Sequence, residues 1–475
     1  MLKFNFNNSY LTLPELFYTI QPATPVHNPQ IAEINFDLLK NLNLDSADED
    51  QDFVKIFSGQ KPAEQSQHFS QAYCGHQFGH FNKLGDGRAH LVGEHINKLG
   101  QRFDLQLKGS GRTPYSRGGD GRAALGPMLR EYLMGEFFHS LKIPSTRGLA
   151  VITTGEKVYR EKPLDGAILT RVAQSHIRVG TFEYAAAYGQ LDHVKALADY
   201  TILRHDPELD NLPNKYLLFL KNIIHRQAQL IAQWMSIGFI HGVMNTDNMT
   251  LSGETIDFGP CAFMDQFNLN QVFSSIDHSG RYAYGQQPSI AHWNLCRFAE
   301  TLLPLLDSNP EKAIELAQNE LQNFPQLFEN HFMQLMSQKI GFDQATAETT
   351  KIVQDLLQIM NSEQLDFTRT FIDLAFDKDI SGLHLWKSNW IQIKNKLGLQ
   401  NQLCSSLMFK NNPAYIPRNS IVDEALINYT EKADKTLFHN LLDKLKNPFA
   451  HQNLAIDDFF YKPEAQKNFK TYCGT

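Results

Sequence analysis

The chain has 475 residues, more than one hydrophobic core ordinarily serves, so two lobes or domains are expected. Hydrophobic residues make up 42% and charged residues 20%, a normal globular balance, and 33 phenylalanines predict large buried aromatic clusters. The net charge of -7 argues against general nucleic-acid binding, which calls for a basic footprint.

The N-terminus, MLKFNFNNSYLTLPELFY, has no basic region followed by an apolar run, so it does not read as a signal peptide. No stretch approaches the roughly 18 apolar residues of a membrane span, and a reducing cytoplasm is the expected location. Residues 1–80 read as an irregular extension. Ala89 to His95 and Arg102 to Leu107 read as a hairpin turning through NKLG, and a Gly-rich loop follows from Gly109 to Gly121. A helix is predicted from about Pro127, a residue suited to a first helical turn, with Met128, Leu129, Tyr132, Leu133 and Phe137 as its apolar face. Gly148 to Thr153 and Ala167 to Val172 are strand-like.

From about residue 185 the pattern turns helical. The clearest helix is 214–237, with Leu217, Leu220, Ile224, Ala228, Ile231 and Met235 on one face. Further helices are predicted near 292–306, 311–338, 344–360 and 421–446. A strand-rich part followed by a large helical part is an α+β arrangement, and the seam between them is the natural ligand site. The expected divisions are an extension over 1–80, a first lobe over 81–184 and a helical lobe over 185–475.

The segment HGVMNTDNMTLSGETIDFG carries the clearest chemistry. Asn248 and Asp257 flank a short unit with Ser252-Gly253 at its tip, and a hairpin of that length would bring an amide oxygen and a carboxylate together as an oxygen site for Mg²⁺ beside phosphates. Asp247 is a candidate base. Taken singly, the segment also fits an Asx turn before a hairpin. Lys108 ends a strand, and Glu131 on the next helix could clamp its ammonium toward phosphates. Gly85 and Gly87 could let backbone amides approach phosphate, although His90 stands where the third glycine of a full G-x-G-x-x-G belongs. Residues 101–180 hold 13 Lys and Arg against 7 Asp and Glu, which reads as a phosphate pocket or as a solvated basic surface.

The order Gly loop, strand Lys, helix Glu, His-loop-Asn, Asp-Phe-Gly is that of the protein-kinase parts. One part is wrong: aligning HGVMNTDN with the kinase catalytic loop puts Val243 where the catalytic Asp belongs, and valine cannot accept a proton. Either the chain is a dead kinase or it uses another base, Asp247 being the candidate.

The segments YCGHQFGHFNKLGDGRAHLVGE, QLKGSGRTPYSRGGDGRAALGPMLREYLMGE, STRGLAV, TRVAQSHIRVGTFEY and HGVMNTDNM…IDFGPCAFMD closely resemble the selenoprotein O family of pseudokinase protein adenylyltransferases. The resemblance covers most of the chain. It implies a kinase-like two-lobed fold, with ATP bound in reverse so that AMP, or in some bacterial members UMP from UTP, passes to Ser, Thr or Tyr hydroxyls of proteins with Mg²⁺ or Mn²⁺. It assigns Gly85, Gly87, Arg88, Asp120 and Gly121 to nucleotide-binding loops, Lys108 to phosphate with Glu131 steadying it, and Arg171 and Arg178 to the far phosphates. Asn248 and Asp257 would bind metal, Asp257 beside the nucleotide, and Asp247 would accept the proton. Arg171 and Arg178, seven residues apart in TRVAQSHIR, would share a helix face but not a strand face, so this span is expected to bend. Two other readings stay open: a phosphotransferase with Asp247 as base, and a non-catalytic scaffold.

The five cysteines, Cys74, Cys261, Cys296, Cys404 and Cys473, are scattered and never form C-x-x-C, which excludes a disulfide scaffold and a zinc ribbon. The family carries selenocysteine or cysteine near its C-terminus, so Cys473 is a redox candidate with Cys261 as a possible partner.

Overall fold

The computed structural model describes residues 2–44, 51–454, 459–460 and 469–472. The strands are β1 (Tyr18–Ile20), β2 (Gln30–Ile34), β3 (Phe69–Gln71), β4 (Cys74–Gln77), β5 (His80–Lys83), β6 (Ala89–Ile96), β7 (Arg102–Lys108), β8 (Ala123–Ala124), β9 (Arg147–Tyr159), β10 (Pro163–Ala173), β11 (Phe239–Ile240) and β12 (Ala262–Phe263). The helices of the first part are α1 (Phe36–Asn41), α2 (Gln51–Phe57) and α3 (Leu125–Ser140). Those that follow are α4 (Val179–Tyr188), α5 (Leu191–His205), α6 (Lys215–Ser236), α7 (Gln287–Leu306), α8 (Pro310–Leu321) and α9 (Phe324–Lys339). The last six are α10 (Ala347–Ser362), α11 (Phe367–Ala375), α12 (His384–Lys396), α13 (Asn401–Asn411), α14 (Asn419–Glu431) and α15 (Thr436–Lys446). The fold is mixed α and β with a helical C-terminal region.

The β6–β7 hairpin forms where its turn chemistry demands. Asn97 Oδ1 accepts hydrogen bonds from the amides of Leu99 (3.0 Å) and Gln101 (2.9 Å), and Gly100 takes the left-handed conformation that side chains resist. Strand order in the main sheet is β1-β3-β6-β7-β10-β9-β2, with β8 added on β10. The extension expected to be irregular therefore supplies three strands to this sheet.

Two apolar layers hold the sheet. Leu38, Leu39, Phe53 and Phe57 from α1 and α2 cluster with Val92, Leu105, Leu107, Ile152 and Ile168 of the strands. α3 joins the larger core, with Tyr132, Leu133, Phe137 and Phe138 all buried beside Val151 and Leu169. Phe138 packs 4.8 Å from Phe239 and 5.1 Å from Phe258, ring centre to ring centre, so an aromatic cluster ties α3 to the helical part. The helix expected over 311–338 is two helices, the second opening with Pro325 in its first turn, where the missing amide costs nothing. The segment 421–446 likewise divides into α14 and α15.

Lys339, at the end of α9, is 3% exposed, and its ammonium lies 4.5 Å from the Phe371 ring with no carboxylate partner among the described residues. Burial pushes it down to about 7. Between that value and the unfolded value near 10.4 the unfolded chain holds the extra proton, so stability rises with pH across this window. Lys339→Met is expected to raise stability by about 1–3 kcal/mol near pH 7. The gain should fade as pH approaches 10, which urea midpoints at the two pH values would show.

Candidate functional site

The sheet, α3 and the 243–260 segment enclose a cleft of about 500 Å³. Register explains its wall. Lys108 stands opposite Leu169, and Arg171 opposite Gln106, on paired antiparallel strands. Residues two apart on a strand share a face, so Gln106, Lys108 and Arg171 all point toward α3. Lys108 Nζ donates to Glu131 Oε2 at 2.6 Å, and Arg171 Nη1 to Glu131 Oε1 at 3.1 Å. Gln106 Oε1 fixes the guanidinium of Arg171 from the other side, accepting from Nη2 at 2.6 Å.

Asp257 faces these cations from the opposite wall. Lys108 donates to its Oδ1, and Arg171 Nη1 lies 3.4 Å from the same atom. Burial alone would raise its pKa, but Lys108, Arg171 and Arg88 together hold the carboxyl well below its usual range. Its backbone is left-handed at φ 63°.

The predicted bend is present: β10 ends at Ala173 and α4 begins at Val179. Arg178 precedes α4, is 2% exposed, and its guanidinium lies 4.1 Å from the centre of the Tyr73 ring. Asp86 faces it at 3.5 Å while accepting hydrogen bonds from the Gln71 amide (3.1 Å) and from Gln106 (3.2 Å).

The expected hairpin between Asn248 and Asp257 is instead a turn whose arms pair outward. Thr250 bridges to Arg178 and Thr255 to Ser145. Both ends still line the cleft. Asn248 donates its amide to the Val243 carbonyl at 3.0 Å, which leaves its oxygen uncommitted to that bond. Asp247 Oδ1 is buried with no hydrogen-bond partner, and burial pushes this carboxyl up to about 7 despite Arg178 nearby.

All twelve of the remaining sequence-predicted residues line this one cleft: Gly85, Gly87, Arg88, Lys108, Asp120, Gly121, Glu131, Arg171, Arg178, Asp247, Asn248 and Asp257. Asp120 sits at its rim, paired with Arg160 at 2.8 Å. Cys473 lies outside the described residues. Cys261 is buried, its thiol 3.2 Å from the Phe258 carbonyl and pushed up to about 11. Thr471 hydrogen-bonds to the Pro260 carbonyl at 2.7 Å and bridges to Ser274, so the final described residues lie beside this segment.

Several site residues were not found from sequence. Asp86 and Tyr73, which fix Arg178, lie inside the long YCGHQFGHFNKLGDGR segment without a separate signal. Asn245 accepts from Phe78 N (3.2 Å) and from the Tyr282 hydroxyl (2.6 Å), anchoring the β4–β5 hairpin beside Asp247. Glu183 takes the Thr246 hydroxyl and hydrogen-bonds to His76, both at 2.6 Å, so the same hairpin is clamped from α4.

A cleft walled by fixed cations and facing carboxylates has the make-up of an enzyme site for phosphate groups. The sequence model of the protein adenylyltransferase SelO family matches residues 1–446. The chain belongs to that family. It is 50% identical over 484 residues to the protein nucleotidyltransferase YdiU of Clostridium perfringens (strain SM101 / Type A), covering 99% of this chain and 98% of that one. It is 50% identical over 476 residues to the YdiU of Anoxybacillus flavithermus (strain DSM 21510 / WK1), covering 99% of each. With the YdiU of Clostridium beijerinckii (strain ATCC 51743 / NCIMB 8052) it shares 51% over 481 residues, 99% of this chain and 97% of that one. No helix among the described residues is long and apolar enough to cross a membrane.

Proposed function

We propose that this chain is a protein nucleotidyltransferase that moves AMP from ATP, or UMP from UTP, onto Ser, Thr or Tyr hydroxyls of other proteins. The observation that carries the reading is the pairing of Lys108 and Arg171 with both Glu131 and Asp257, a preorganised set of cations in the cleft that Asp247 also lines. The molecule reads as a kinase-like pair of lobes, 81–184 and 185–475, with 1–80 packed on the first.

Gly85, Gly87, Arg88, Asp120 and Gly121 would surround the nucleotide. Lys108, Arg171 and Arg178 would receive the β- and γ-phosphates deep in the cleft, with Glu131 holding the first two cations in place. The acceptor oxygen bonds to the α-phosphorus, and the bond to the bridging oxygen breaks. Pyrophosphate leaves with that electron pair, and the hydroxyl proton passes to Asp247. A carboxyl pushed up toward neutrality is suited to that transfer.

The donors present fit a divalent ion. Asp257 offers a carboxylate and Asn248 an amide oxygen not used in its bond to Val243, while Asp247 stays available as proton acceptor. Two protein oxygen donors would leave the remaining positions of a Mg²⁺ or Mn²⁺ ion to phosphates and water. Bound there, such an ion would neutralise phosphate charge.

Release of pyrophosphate from ATP with a protein acceptor is the expected result, whereas ADP would support a phosphotransferase. A second expectation concerns Gly75 on β4. A methyl there would lie 2.7 Å from Asp247 Cγ and overlap its carboxylate. Gly75→Ala should lower kcat about 10²-fold by displacing that group, with nucleotide affinity retained. Unchanged kcat would detach Asp247 from the chemistry.

A further inference from the structure

Beside the cleft lies a ledge that the nucleotide reading leaves unused. Its centre is Arg281. The guanidinium carbon stands 4.9 Å from the Trp293 ring and 5.8 Å from the Tyr282 ring. The turn of the β4–β5 hairpin closes over it, since a methyl at Gly79 would lie 3.8 Å from the same carbon. Arg281 forms no salt bridge with any described carboxylate, and its Nε is buried without a partner. Asp277, four residues earlier, is engaged by backbone: it accepts from the amides of Arg281 (3.0 Å) and Tyr282 (2.8 Å). Arg297 also lies 5.2 Å from the Trp293 ring, but it is paired with Glu300 at 2.5 Å.

This cation is connected to the cleft. The Tyr282 hydroxyl donates to Asn245, two residues before Asp247, and Phe78, whose ring centre lies 5.1 Å from that of Tyr282, lines the cleft together with Ile276. Ile276 is 50% exposed and Phe81, on β5, 44% exposed, so apolar surface borders the charge. A rigid, uncompensated guanidinium among aromatic rings, next to where an acceptor hydroxyl must enter, matches a carboxylate on an extended segment.

We propose that Arg281 selects acceptor proteins by binding an acidic side chain close to the modified hydroxyl. The proposal rests on the transferase reading in naming an acceptor segment as the occupant. The same position would hold a carboxylate whether or not transfer follows, so binding and chemistry are tested apart.

The probes are two fluorescent peptides containing Ser, Thr and Tyr, one with Glu and the other with Gln at the flanking positions. Anisotropy is measured with the full chain, and transfer with α-labelled ATP. The wild type is expected to bind the Glu peptide about tenfold more tightly and to label it with a correspondingly lower KM, a difference typical of one charge pair. Arg281→Gln should erase the preference, Arg281→Glu should reverse it, and Arg281→Lys should keep part of it, all with the KM for ATP unchanged. Equal binding of the two peptides by wild type, or a preference that survives Arg281→Glu, would overturn the proposal. A Glu preference in binding without transfer would instead count against the transferase reading and leave the ledge standing.

Discussion

Asp257→Asn is expected to reduce nucleotidyl transfer by about 10³-fold or more while the protein stays folded. The carboxylate is the group on which Lys108 and Arg171 converge, and it is the strongest candidate for a metal oxygen. Asparagine is the informative replacement because φ is 63° here. Asn tolerates the left-handed region, whereas alanine would add backbone strain to the loss of charge. Lys108 and Arg171 keep Glu131 as partner in the variant, so the buried cations are not abandoned. Near-normal transfer, with metal still bound, would remove Asp257 from the mechanism.

Asp247→Asn carries the second large effect, with opposite signs on rate and stability. Loss of the proton acceptor should lower kcat by about 10²–10⁴-fold. Stability should hold or rise in metal-free buffer. The carboxyl is raised to about 7 by burial and one oxygen has no partner. Its folded value lies above the unfolded value near 3.9, so the folded protein holds the extra proton between them, and wild-type stability falls as pH rises from about 4 to 7. Asparagine removes that dependence, and the variant's advantage should be largest above pH 7. Thermal scans at pH 5 and pH 8 in chelator, beside single-turnover rates, would separate the two effects. A variant that is both inactive and much less stable at pH 8 would indicate a structural role instead.

Much of the cleft was legible in the sequence because its parts follow local rules. Lys108 ends a strand whose turn is set by Asn97 and Gly100, and Glu131 lies on a helix that begins at Leu125 with Pro127 in its first turn. The bend between Arg171 and Arg178 follows once the family resemblance assigns both arginines to one pocket, because seven residues apart on a strand they would face opposite ways. What was not legible depends on distant partners. β1 and β3 are three residues each, too short for an alternating pattern, and Tyr18 finds Gln71 only across the fold. Thr246 and His76 meet on Glu183, a contact no spacing announces. The turn at 248–257 looked like a hairpin because its ends converge, but Thr250 and Thr255 find better strand partners in Arg178 and Ser145. The break between α8 and α9 had a local signal, Pro325, that helical periodicity on both sides obscured.

The central claim is that the α-phosphoryl group, not the γ, is what moves. Wild-type protein incubated with an acceptor protein mixture and Mn²⁺ in parallel reactions, one with α-labelled and one with γ-labelled ATP, tests it most directly. Label on protein from the α position alone, absent with Asp257→Asn, is the predicted result. Label arriving from the γ position would contradict the account.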